Sequence, residues 1–236
     1  MKSEKYNIVV PEGVQELIIR EGEAEKIHEP NSIDFSGVIT NPYEYLKKGF
    51  DKEEIINSTL EYSYEKKQIC LRYAIRTVNP DMILGSMKIH EELNSFELNS
   101  GKRVEPSKMA EFLRTKMHYF LNRAEGMKLV KELQEFKAKV DKEIEKADDK
   151  RANVRQVYVQ KVTSNIPTEF SLNLPLFVGG ERVPIRVEID IDPFELNCVL
   201  IAPSLKEMID TEVTAVIDEQ LRMIAELVPN LKLFQF

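Results

Sequence analysis

The chain has 236 residues, a formal net charge of −7, 42% hydrophobic residues and 31% charged residues. That length buries a substantial core without metal or disulfide staples, and the composition excludes wholesale disorder. The acidic balance excludes a global basic field of the kind that drives non-specific DNA binding, so any nucleic-acid contact has to come from a local patch.

The N-terminal stretch MKSEKYNIVVPEGVQELIIREGEAEK lacks the continuous apolar core of a signal peptide, and no window approaches the roughly 18 apolar residues of a membrane span. A soluble protein of the cytoplasm, with no membrane partner, is expected. Residues 32–40, SIDFSGVIT, read as a short strand, followed by a helix with Asn41 as N-cap, Pro42 at its first position and Gly49 as its stop. Alternation at Leu60, Tyr62 and Tyr64, then at Ile69, Leu71 and Tyr73, predicts a β-hairpin with the charged tip Glu65-Lys66-Lys67. DMILGSMKIHEEL adds a further strand in which Gly85 marks a bend or bulge. Cys70 and Cys198 each lie inside an apolar alternating segment, which suits buried reduced thiols better than a disulfide.

The middle, 105–150, reads as helical. Pro106 begins a helix over 107–122 whose stripe is Met109, Phe112, Leu113, Met117, Phe120 and Leu121. A second helix from about Ala124 to Ala147 carries Met127, Val130, Leu133, Val140 and Ile144 amid dense Lys and Glu, and is expected to be long, largely exposed and arm-like. In the last third, 151–236, NVRQVYVQKVTSN is a strand candidate. After it, Phe170, Leu172, Leu174, Leu176 and Val178 share one parity, and Val183, Ile185, Val187, Ile189 and Ile191 share one parity beyond Gly179-Gly180. That is a hairpin with one buried face and a tight glycine turn. CVLIAP supplies another strand, and a final helix over 204–228 closes the core through Leu205, Ile209, Val213, Val216, Ile217, Leu221, Ile224 and Leu227. The expected class is α+β, a single domain with an antiparallel sheet of hairpins packed against amphipathic helices and one long charged helix.

No zinc pattern, nucleophile elbow or phosphate-binding glycine loop occurs, and no cofactor is implied. Three surfaces remain. Glu188, Asp190 and Asp192 share the parity opposite the apolar row, so a regular strand projects them from one face about 7 Å apart. Such a row can hold Mg²⁺ or Mn²⁺ for a nuclease or phosphodiesterase; the account that needs less is the wet side of a scaffold, balanced by Arg182 and Arg186. Arg151, Arg155, Tyr158 and Lys161 mix cations with an aromatic ring, a combination that tracks phosphates and stacks a base of single-stranded DNA. The end LVPNLKLFQF is apolar after Pro229 breaks the helix, so Leu233, Phe234 and Phe236 dock either on the chain's own core or on a neighbouring subunit.

The run Pro167, Phe170, Leu172, Leu174, Pro175, Leu176, Phe177, Gly179, Gly180, Ile185 and Val187 resembles the signature hairpin of the YfdQ-like family of phage and prophage proteins, a domain of unknown function. SGKRVEPSKMAEFLR upstream is similar to that family's glycine-lysine turn and following helix, although the long charged helix replaces its usual short connection. The resemblance implies a phage or prophage origin and an accessory role in the host cytoplasm, in recombination or replication or against host defence, with no catalytic residues to carry over. The expected function is a non-enzymatic accessory protein that forms a homo-oligomer and binds a host or phage protein. A recombination or replication factor touching single-stranded DNA, and a metal-dependent nuclease or phosphodiesterase, are the alternatives.

Overall fold

Two blocks of period-two apolar alternation fold into two sheets, and the period-three-to-four segments between and after them supply the helices that cover those sheets. The computed structural model describes residues 32–77, 79–148, 168–192, 195 and 197–236, and within 137–148 the backbone alone. Residues 32–236 form one unit and 1–31 another, the latter outside the described residues. In chain order the elements are β1 (Asp34–Val38), α1 (Asn41–Lys47), α2 (Lys52–Ile55), β2 (Thr59–Ser63), β3 (Gln68–Tyr73) and β4 (Asp81–Ser86). They continue as α3 (Glu91–Ser95), α4 (Pro106–Thr115), α5 (Arg123–Asp148), β5 (Glu169–Pro175), β6 (Arg182–Asp192), β7 (Asn197–Ile201), α6 (Leu205–Leu227) and β8 (Lys232–Gln235).

The class is α+β, with the strands divided between two sheets. A five-stranded sheet runs β1-β4-β3-β2-β8, and a three-stranded sheet runs β5-β6-β7. The N-terminal and C-terminal hairpins therefore do not share one sheet. The larger sheet is mixed, because β1 pairs parallel with β4 and β8 pairs parallel with β2, while β4-β3 and β3-β2 are antiparallel. Connections through α1 and α6 are long enough to return the chain in the same direction, as parallel pairing requires.

In the larger sheet Leu60 of β2, Leu71 of β3 and Ile83 of β4 are partners in register on the buried face. Helix α1 lies against β3 and β4, and α6 lies beside α1. Asp81 ties these parts together: it accepts from the Tyr45 hydroxyl at 2.6 Å and from the Ile33 amide at 2.8 Å, fixing α1 and the entry to β1. Gly85 is no bulge. It sits in regular register between Gly37 and Ile69, and a Cβ there would lie 2.8 Å from the Ile39 carbonyl oxygen and 2.9 Å from Pro42 Cδ. Its lack of a side chain lets the loop into α1 press onto the sheet.

Several boundaries shift. Thr40 is the N-cap of α1 and Asn41 its first residue. The 107–122 helix stops at Thr115, Lys116 caps it, and a 3-10 turn over Met117–Tyr119 redirects the chain. Met117 and Phe120 still reach the core, whereas Leu121 is 59% exposed because its amide turns to the Ser171 carbonyl of β5 at 2.9 Å. The first half of α5 is packed and does not project: Leu129, Val130, Leu133 and Phe136 are buried, with α4 as the main neighbour, while Met127 faces out. Val140 and Ile144, and the strand candidate at 153–165, lie outside the described side chains and residues.

In the smaller sheet Phe170 pairs with Val187, Leu172 with Ile185, Ile189 with Leu200 and Ile191 with Cys198, all on the buried face. The β5-β6 connection is a six-residue loop, 176–181, and not a tight turn, since Pro175 pairs with Arg182. Within it Phe177 is buried and bridges to Ile89, Val178 is exposed, and Gly179 has φ +81°, the left-handed region that favours glycine.

Gly85→Ala is expected to lower unfolding stability by about 2 kcal/mol, because the contacts are backbone atoms and a proline ring that cannot rotate away. Urea denaturation checks it; an unchanged midpoint would remove the close approach of α1 as the reason for this glycine.

Candidate functional site

The acidic row is part of a charge-balanced face. On the solvent side of the smaller sheet Glu169 stands directly opposite Glu188, a like-charge pair that costs energy unless offset. Arg186 offsets it through an ion pair with Glu169. At the far end Arg103, on the loop before α4, places one guanidinium nitrogen 3.2 Å from Asp192, 3.1 Å from Glu195 and 3.2 Å from Asn197. Arg182 does not share in this balance; its guanidinium lies over the Tyr119 ring at 5.2 Å. Asp190 is exposed between the two clusters, with Val199 as its cross-strand partner. Glu188, Asp190 and Asp192 thus occupy one face, as their parity predicts, but do not converge. Among the described residues no three or more His, Cys, Asp or Glu side chains are placed to hold a metal ion. Arg103 and Glu169 escaped sequence reasoning, since only the strand register and the return of the 100–104 segment bring them to this face.

Arg151, Arg155, Tyr158 and Lys161 lie outside the described residues. The two thiols are buried, in line with their positions in apolar strands. Burial pushes the Cys198 thiol up to about 12, and its Sγ donates to the Val104 carbonyl at 3.2 Å; burial also raises Cys70. Neither is a nucleophile near neutral pH.

The third surface has a distinct geometry. After α6, Val228 and Leu231 are buried and fix the turn, and β8 then runs along β2 with Thr59 facing Lys232, Leu60 facing Leu233, Glu61 facing Phe234 and Tyr62 facing Gln235. The tail is docked on its own sheet through its backbone, yet Leu233, Phe234 and Phe236 remain 48%, 51% and 49% exposed. By register Leu233 continues the buried-face row of Leu60, and Phe234 lies on the opposite face beside Glu61. Lys66, on the β2-β3 tip, sits over the Phe236 ring at 4.6 Å. Tyr64 donates to Asp218 of α6 at 2.6 Å, which pushes its hydroxyl up to about 12 and joins α6 to this end of the sheet.

The two sheets treat their edges differently. The outer edge of β7 is closed by Val104, which exchanges backbone hydrogen bonds with Cys198 at 2.8 and 3.0 Å, and by Asn99, whose amide donates to Leu200 at 3.1 Å. The outer edge of β5 is closed by Leu121, which donates to Ser171, and the loop that follows β5 is held by His90, which donates to Leu176. No described residue bonds the outer backbone edge of β8. An exposed strand edge with apolar side chains is a template for another strand.

Comparison of the chain with protein-family models, with curated proteins and with solved structures finds no match. Among the described residues no helix is long and apolar enough to cross a membrane.

Millimolar Mn²⁺ is expected to leave the melting temperature unchanged, as is Asp190→Ala; a Mn²⁺-dependent rise that Asp190→Ala abolishes would establish a metal site on this face. Ellman's reagent is expected to label no thiol in the folded protein at mildly alkaline pH and both in urea. The unfolded Cys198 thiol releases its proton near 9.0 and the folded one only near 12, so above 9.0 the folded state binds more protons. Its contribution to stability is therefore intact at neutral pH and declines as pH rises from 9.0 toward 12.

Proposed function

We propose that this chain is a non-enzymatic accessory protein that self-associates and binds a protein partner. The observation that carries this reading is β8, an edge strand whose Leu233, Phe234 and Phe236 are each about half exposed although its backbone is docked on β2. Apolar side chains at that density on an edge that no described residue bonds favour association over solvent exposure. The acidic net charge of −7 favours a protein over a nucleic-acid surface as the partner. The resemblance of the hairpin around Pro175 and Gly179-Gly180 to the YfdQ-like family supports a phage or prophage origin, action in the host cytoplasm and a host or phage protein as the partner.

Light scattering on the full chain over a range of concentrations is expected to give a mass above that of one chain, and Leu233→Asp with Phe236→Asp is expected to return it to one chain without loss of helix signal. A mass of one chain throughout the range would overturn self-association.

A further inference from the structure

We propose that β8 pairs antiparallel with β8 of a second copy of this chain, about a two-fold axis through Phe234, so that the two five-stranded sheets become one. This rests on the self-association reading and specifies its surface.

The direction of the free backbone groups follows from one hydrogen bond. Phe236 donates its amide to the Tyr62 carbonyl at 3.0 Å, so its backbone faces β2. Backbone direction alternates along a strand, so Phe234 and Lys232 also face β2, while Leu233 and Gln235 turn their N–H and C=O groups outward. Those outward groups have no partner among the described residues. Two outward residues separated by one inward residue are self-complementary. Leu233 of one copy opposes Gln235 of the other, and each such pair exchanges two hydrogen bonds.

Side-chain chemistry agrees with that register. Phe234 meets Phe234 of the second copy in a non-hydrogen-bonded pair, with Cα atoms about 4.5 Å apart, and aromatic cross-strand pairs are favourable. Lys232 faces Phe236 of the second copy, adding a second cation to a ring that Lys66 already covers at 4.6 Å. No like charges face each other, whereas a parallel in-register pairing would set Lys232 against Lys232. The two Leu233 side chains lie diagonally on the buried face, extending the row of Leu60 and Leu71 across the junction. The opposite edge of the sheet is less suited. β1 reads Asp-Phe-Ser-Gly-Val, with a charge and a glycine of the kind that blunt edges.

The test is Phe234→Cys in the full chain under air oxidation, with non-reducing electrophoresis as the readout. Facing cysteines at that separation are within disulfide reach, and the native thiols are buried, so the wild type serves as background. A covalent dimer is expected for Phe234→Cys and none for Leu233→Cys, which opposes residue 235. Independently, Gln235→Pro removes an outward donor and leaves the β2 pairing intact, so it should weaken the dimer roughly tenfold or more by light scattering with the circular dichroism of the folded chain unchanged. A wild-type dimer in which Phe234→Cys does not cross-link and Gln235→Pro has no effect would overturn this pairing and leave self-association standing. A monomer at every concentration would overturn both. Assemblies larger than a dimer, as β1-to-β8 pairing would give, would overturn the two-fold arrangement.

Discussion

One row of side chains crosses all five strands of the larger sheet: Phe35, Ile83, Leu71, Leu60 and Leu233, each in register with the next. Its three central members are 3%, 0% and 0% exposed and its two ends 50% and 48%. The row is sealed at its middle and half open at both ends. A sheet side chain of this size contributes about 1.5–3 kcal/mol when fully buried, and the end residues realise only part of that. The core thus depends on the central row, and the chain's unused association energy sits at the ends of the same row.

The strands were legible because alternation is a local signal. Leu60, Ile69 and Leu71, and then Phe170, Leu172, Ile185 and Val187, fall on the buried faces that their parity predicts. Division into two sheets was not legible, because parallel or antiparallel pairing depends on where α1 and α6 return the chain, and no residue pattern encodes that return. Helix ends failed for a different reason. Met117 and Phe120 keep helical spacing with Met109 and Phe112, but the chain leaves the helix at Lys116 so that 120–121 can close the edge of β5. An apolar spacing pattern records which side chains are buried and not which backbone buries them. The same holds in α5, where the density of Lys and Glu suggested a projecting arm although Leu129, Val130, Leu133 and Phe136 supply a sufficient face for α4.

The surfaces divide in the same way. The wet row of Glu188, Asp190 and Asp192 followed from period two, as did Arg186 on the same parity, whereas Arg103 did not, because it reaches Asp192 across 89 residues of sequence. The apolar end of the chain was visible as composition. Its docking on β2, with Leu233 and Phe234 on opposite faces, is a property of register. Gln235 carried no signal, being a polar residue between two phenylalanines, and it matters only through the direction of its backbone.

The contrast between the sheets bears on what the edge is for. Closing the smaller sheet uses irregular backbone at 99–104 and 120–121, each bonded to an outer strand, and at 88–90, bonded to the loop that follows β5. Such closure is the usual defence against unwanted pairing. It covers both edges of the three-stranded sheet, whereas no described residue bonds the outer edge of β8, although Lys66 and Lys67 at the adjacent hairpin tip are near enough for one of them to cover Phe236. A single lysine over one ring shields a side chain without occupying a backbone donor, so the edge stays soluble when free and stays open to a strand. Copies carrying a net charge of −7 repel one another at distances within the screening length of about 8 Å at physiological salt. Only a contact that is locally neutral or cationic, directional and apolar overcomes that repulsion, and the stretch from Lys232 to Phe236 has all three properties.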